Sequence, residues 1–176
     1  SYIIGVREIS INRQNPDLLN DKVNSIYGSK LLLLILLALI LGFLIKLIPF
    51  FNQEKELIFF SFMIVVGQSV NPMWFLQGVE NFKWISFINI FSKLIYVLGV
   101  YGFVSNKLDY IYVNLIYGMG LFIASSIGLI WIINRYSFTL TFRGLWSGVI
   151  IIRQEFWFSL SQLLMSFHQY IPILIV

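Results

Sequence analysis

Leu31-Leu32-Leu33-Leu34-Ile35-Leu36-Leu37-Ala38-Leu39-Ile40-Leu41-Gly42-Phe43-Leu44-Ile45 is the stretch that decides the fold class. Followed on to Phe51, the run is interrupted by a single cation, Lys46. A helix rises about 1.5 Å per residue, so about 20 such residues cross a hydrocarbon core about 30 Å thick. Three further complete runs follow: Leu57 to Phe75, Trp84 to Val104 and Tyr110 to Ile133. A fifth, Phe156 to Val176, reaches the end of the sequence. The expected fold is all-α, a multi-pass transmembrane helix bundle.

Composition leads the same way. The 176 residues are 59% hydrophobic and 11% charged, with mean hydropathy +0.84. Soluble domains carry about 25% charged residues, and a soluble fold of this size has too much surface for its volume to hide the excess. The net charge of +4 is scattered along the chain, whereas a nucleic-acid binder gathers it in a stripe. No nucleic-acid partner is expected. The absence of Cys excludes disulfides and thiol chemistry, and one His with eight carboxylates argues against a metal centre. No cofactor is expected. Ser1 opens the sequence with no signal-peptide pattern, and Ile171 to Val176 ends inside an apolar run. The region 1–176 is therefore read as one transmembrane unit, incomplete at both ends.

Short connections, Asn52 to Glu56 and Ser105 to Asp109, make neighbouring spans antiparallel. Arg7, Arg13, Lys22, Lys30, Lys83, Arg135, Arg143 and Arg153 fall on one side, against Lys55 and Lys107 on the other. The richer side is expected to be cytoplasmic. Two connections are longer, Arg7 to Lys30 and Asn134 to Glu155. In the second, Tyr136 to Phe142 alternates polar and apolar residues, as an extended strip does. Leu145 to Ile152 reads as an interfacial helix leading into the fifth span. Trp84, Tyr110, Trp131 and Trp157 stand where an aromatic belt belongs.

Among candidate functional residues, Lys93 is the most informative. It lies roughly 13 Å into its span, where a charge costs about 2.5–3.5 kcal/mol or more and must face protein or water. Two readings stay open: a cavity cation for an anionic headgroup, or one half of an ion pair with a carboxylate elsewhere. Lys46 lies near a span end, where its stem can snorkel. Asn71-Pro72 predicts a kink or break, because proline removes a donor and clashes with the preceding turn. Broken helices line transport paths, yet ordinary helix termination reads the same way. His168 sits halfway along the fifth span and is a candidate for proton coupling or for a plain interhelical hydrogen bond. Gly120, Ala124 and Gly128 recur every four residues and predict close helix packing. Arg7, Glu8, Arg153 and Glu155 mark span ends, as anchors or phosphate contacts. No nucleophile–base pair, phosphate-cradling glycine loop or metal spacing appears, so no enzyme site is expected.

Three segments together carry a resemblance: Ile4-Gly5-Val6-Arg7-Glu8-Ile9-Ser10-Ile11-Asn12-Arg13, Asn71-Pro72-Met73-Trp74-Phe75-Leu76-Gln77-Gly78-Val79-Glu80, and Ile88-Asn89-Ile90-Phe91-Ser92-Lys93. The sequence resembles the Wzx-type O-antigen flippases of the multidrug, oligosaccharidyl-lipid and polysaccharide exporter superfamily. The P-x-W-F-x-Q-G-x-E string is the most specific part. The resemblance implies two similar helix bundles around a central cavity, with this sequence supplying part of one. It implies an undecaprenyl-diphosphate-linked oligosaccharide as cargo, moved across the bacterial inner membrane for O-antigen or capsular polysaccharide synthesis, beside membrane lipids, a polysaccharide polymerase and a chain-length regulator. Lys93 then matches a basic position of the fifth helix, and Arg7, Glu8, Asn71, Gln77 and Glu80 join it as candidate cavity or headgroup residues. Competing readings are a drug or ion exporter of the same superfamily and a membrane-bound polymerase or glycosyltransferase. The latter usually carries catalytic residues in a large outer loop, and both outer loops here are tiny.

Overall fold

The computed structural model describes residues 2–13, 15–106, 109–139, 141 and 143–175, with side chains for these except 2–4, 50, 143, 163 and 166–175. The chain is all helix among the described residues: α1 (Tyr2–Ile11), α2 (Pro16–Leu47), α3 (Pro49–Gln53), α4 (Lys55–Val70), α5 (Met73–Gly78), α6 (Phe82–Phe103), α7 (Tyr110–Tyr136) and α8 (Arg143–Ile175). Four helical stretches are long and apolar enough to cross a membrane: Pro16–Leu47, Lys55–Gly78, Phe82–Phe103 and Tyr110–Tyr136. This is an all-α multi-pass membrane protein.

The first long helix begins well before its apolar run, at Pro16 and not at Leu31. Local chemistry sets that start. The Asn15 side chain accepts the Leu18 N–H at 3.3 Å, Pro16 takes the first helical position, and Asp17 lies in the first turn. Each suits the positive, donor-rich end of a helix. Much of the expected Arg7–Lys30 connection is thus helical. At the other end Pro49 holds Ile48 extended (φ −110°, ψ 116°), as the residue before proline must be, and α2 stops. Lys46 is exposed in its last turn.

Proline also stops α4. Asn71 caps it at φ −60°, ψ 119°, and Pro72 starts the separate turn and a half of α5. The second predicted span is therefore broken into two helices. At the start of the expected extended strip 136–142, Tyr136 is the last residue of α7, and Ser137 closes that helix in the left-handed conformation (φ 54°). The stretch 145–152 is not a helix of its own, since α8 continues without a break from Arg143 through the expected fifth span.

α7 is the central post. α4 packs along one side and α6 along another, and these two scarcely touch each other. α2 pairs with α8 and makes a smaller contact with α4. Gly120 and Gly128 lie where α7 meets α6, with Ala124 between them. A Cβ at Gly120 would come within 2.8 Å of the Ser92 carbonyl oxygen, and Ala124 is fully buried. Closer still is the α2–α8 crossing, where a Cβ on Gly28 would overlap the Gly144 carbonyl.

The buried core sits at one end, around α5: Ile9 of α1, Val23 and Ile26 of α2, Trp74, Phe75 and Leu76 of α5, and Ile132 of α7. The outer surfaces are apolar instead. Leu39 is 67% exposed and Phe43 64%, and no residue of the most apolar α2 window is buried. Such surface is stable only against lipid.

Candidate functional site

The P-x-W-F-x-Q-G-x-E string folds as the keystone of that core. Trp74, Phe75, Leu76 and Gly78 are buried, Trp74 packs on Gly5 of α1, and Phe75 meets Tyr136 and Phe138 edge-on at 5.1 and 5.4 Å. Its aromatic pair is thus a packing device joining α1, α2, α5 and the α7–α8 connection. The string ends with Glu80 in the left-handed conformation (φ 58°), where the Asn81 N–H reaches back to the Leu76 carbonyl at 2.8 Å and satisfies the end of α5.

The break at Asn71–Pro72 frees carbonyls at the end of α4, and α2 supplies their donors. Tyr27 Oη donates to the Val70 carbonyl at 3.2 Å, and Lys30 Nζ donates to the Asn71 carbonyl at 3.0 Å. The Lys30 ammonium also lies 5.2 Å from the Tyr27 ring centre and 5.8 Å from that of Trp74. A cation at the negative end of a helix, over two aromatic faces, is favourably placed. The Asn71 side chain, 7% exposed, accepts the Met73 N–H at 3.0 Å and so starts α5. Its amide is committed to the break. Lys30 and Tyr27 carried no role in the sequence reading. Their three-residue spacing puts them on one helix face, but nothing local reveals a partner forty residues on.

The other candidates divide into separate places. Glu8 is paired with Lys22 at 2.8 Å, and Glu80 with Arg13 at 3.3 Å; Arg13 also donates to the Val79 carbonyl at 3.0 Å. Arg7 is exposed on α1, and Gln77 is half-buried in α5. The His168 side chain lies outside the described residues. These groups gather at the α5 end without forming one cluster with Lys93.

Lys93 is exposed on α6. With 3.6 residues per turn, Ser86, Asn89, Lys93 and Tyr96 share one side of this helix, while Ile90, Leu94, Leu98 and Tyr101 share another. The Tyr96 ring meets Tyr117 of α7 edge-on at 5.4 Å. Tyr117 falls on α7 between the line of Gly118, which meets Met63 and Ile64 of α4, and the line of Gly120, which meets α6. The polar side of α6 therefore lies on the same flank of α7 as Tyr117. Further along α7, Asn114 donates to Ser61 of α4 at 2.7 Å. An exposed ammonium thus shares one helix side with the side chains of Ser86, Asn89 and Tyr96, groups that can attract an anion and hydrogen-bond a polar chain. Among the described residues no group of three or more His, Cys, Asp or Glu could hold a metal ion.

The chain is 31% identical over 93 residues to a protein of Escherichia coli (strain K12) described as "Putative O-antigen transporter"; the match takes in 51% of this chain and 22% of that protein. No solved structure matches the chain significantly. The family model described as "Polysaccharide biosynthesis protein" matches residues 4–176. With nearly the whole sequence inside that match, the chain belongs to the polysaccharide biosynthesis protein family.

Proposed function

We propose that the protein flips an undecaprenyl-diphosphate-linked oligosaccharide across the bacterial inner membrane, for O-antigen or capsular polysaccharide synthesis. It acts as a transporter and catalyses no covalent step. The observation that carries this reading is the placement of Lys93 with Ser86, Asn89 and Tyr96 on one side of a membrane-crossing helix. The relative's description as an O-antigen transporter supports the cargo class. A polar glycan is costly in hydrocarbon, and a hydrated, polar-lined path lowers that cost while the lipid tail stays in the bilayer. Lys93 draws the diphosphate toward that path. Rocking of helix bundles then exposes the cargo to the other face.

Complementation tests it. In the full-length gene, expressed in a strain lacking its own flippase for the matching polysaccharide, the wild type restores surface polysaccharide. Lys93→Ala abolishes it at unchanged protein level, and Lys93→Arg retains part. Normal polysaccharide from Lys93→Ala would remove Lys93 from the path. A drug or ion exporter of the same fold would instead alter toxin resistance and leave the polysaccharide unrestored by the wild type.

A further inference from the structure

The Lys30 ammonium caps the break of α4, but the capping bond uses one of its three N–H donors. It also lines a groove of about 240 Å³ between α2 and α4, whose other walls are Leu33, Leu34, Leu37 and Val65, with Gln68 and Ser69 beside the ammonium. Gln68 is exposed. Its carbonyl accepts from the Asn71 amide at 3.5 Å, which leaves its own NH₂ group as a second donor at the same mouth. The groove is almost wholly apolar, and Lys30, Gln68 and Ser69 are the polar residues among those that line it.

Depth and charge say what fits. From Lys30 to the end of α2 at Leu47 the helix rises roughly 25 Å, close to the hydrocarbon thickness. With the other end of α2 at one interface, the ammonium stands near the lipid phosphates of the opposite leaflet. The cations nearby in sequence are taken, Lys22 by Glu8 and Arg13 by Glu80, and no carboxylate among the described residues pairs with Lys30. One free positive charge and one carboxamide match a phosphodiester carrying a single negative charge. A diphosphate, with more charge, would call on the cations already paired.

We propose that this groove binds one anionic phospholipid from the leaflet at the Lys30 end, with its phosphate on Lys30 and Gln68 and one acyl chain along Leu33, Leu34, Leu37 and Val65. The bound lipid fastens α2 to the broken end of α4. This site is separate from Lys93 and does not depend on what the protein carries.

Native mass spectrometry of the full-length protein, released from mixed phosphatidylglycerol–phosphatidylcholine micelles, tests the assignment. The wild type retains one phosphatidylglycerol in preference to phosphatidylcholine. Lys30→Met lowers that preference about five-fold, equal to about 1 kcal/mol at 1.4 kcal/mol per factor of ten, while Lys30→Arg keeps it. Val65→Trp fills the groove with the charge intact and also lowers retention, so the test stands even if Lys30→Met fails to fold. Equal retention of the two lipids by the wild type, or unchanged preference in Val65→Trp, would overturn the proposal. So would displacement of phosphatidylglycerol by an equimolar polyprenyl diphosphate.

Discussion

The side-chain oxygen of Asn24 accepts the backbone N–H of Thr141 at 2.7 Å. The same carboxamide donates to the Thr139 carbonyl at 2.8 Å, so one helix side chain satisfies backbone groups of two residues in the α7–α8 connection. One turn earlier, Asn20 accepts the Thr139 N–H at 3.1 Å and donates to the Thr139 hydroxyl at 3.2 Å. Two asparagines four residues apart thereby hold the α7–α8 connection against α2.

Asn24 is 7% exposed, so its loss leaves buried backbone groups without partners, at about 1–3 kcal/mol for each one unsatisfied. Asn24→Asp is expected to be worse than Asn24→Ala, because a carboxylate then faces the Thr139 carbonyl. Limited chymotrypsin digestion reads the outcome. Phe138, 5% exposed in the wild type, becomes a rapid cleavage site in both variants, and equal protection in all three proteins would contradict the clamp.

Lys30→Met removes the donor to the Asn71 carbonyl and the charge at the end of α4. The expected loss is about 1–3 kcal/mol of unfolding free energy, measured by denaturant unfolding in detergent. Lys46→Met, on an exposed side chain in the last turn of α2, is expected to change it by less than about 1 kcal/mol.

Glycines on α2 separate cleanly. A Cβ at Gly28 overlaps the Gly144 carbonyl, whereas one at Gly42 meets nothing within 4 Å. Gly28→Ala should destabilise by about 1–3 kcal/mol through overpacking. Gly42→Ala should stabilise by up to about 1 kcal/mol through helix propensity. Thermal unfolding of the two variants side by side gives opposite shifts; shifts of one sign would show that the α2–α8 crossing is looser than described.

Apolar run length made the helical membrane class legible from sequence, because crossing hydrocarbon imposes one length on every span. The break at Asn71 was legible too, since proline acts on its immediate neighbours. Helix starts were less so: Asn15-Pro16-Asp17 is a complete start signal, yet it precedes a polar half-helix that hydropathy reads as loop. The alternation of 136–142 reads as an extended strip, but Tyr136 ends α7 and Ser137 is left-handed; the partners of Thr139 and Thr141 are Asn20 and Asn24, and side chains on a distant helix leave no local pattern. Of the candidate site, spacing exposed the small-residue face of α7 and the isolated charge of Lys93. The link between Lys30 and Asn71 depends on how α2 crosses α4, and a one-dimensional pattern does not encode that crossing.

The central claim is that Lys93 borders a wet path while its helix neighbours face lipid. The 176 residues contain no Cys, so single cysteines in this region are unambiguous probes once any elsewhere in the full-length protein are replaced. Labelling of intact membranes with a membrane-impermeant thiol reagent is predicted to modify Asn89→Cys and Lys93→Cys, and to leave Leu94→Cys and Leu98→Cys unmodified. Labelling of Leu94→Cys with Lys93→Cys inert would contradict the account.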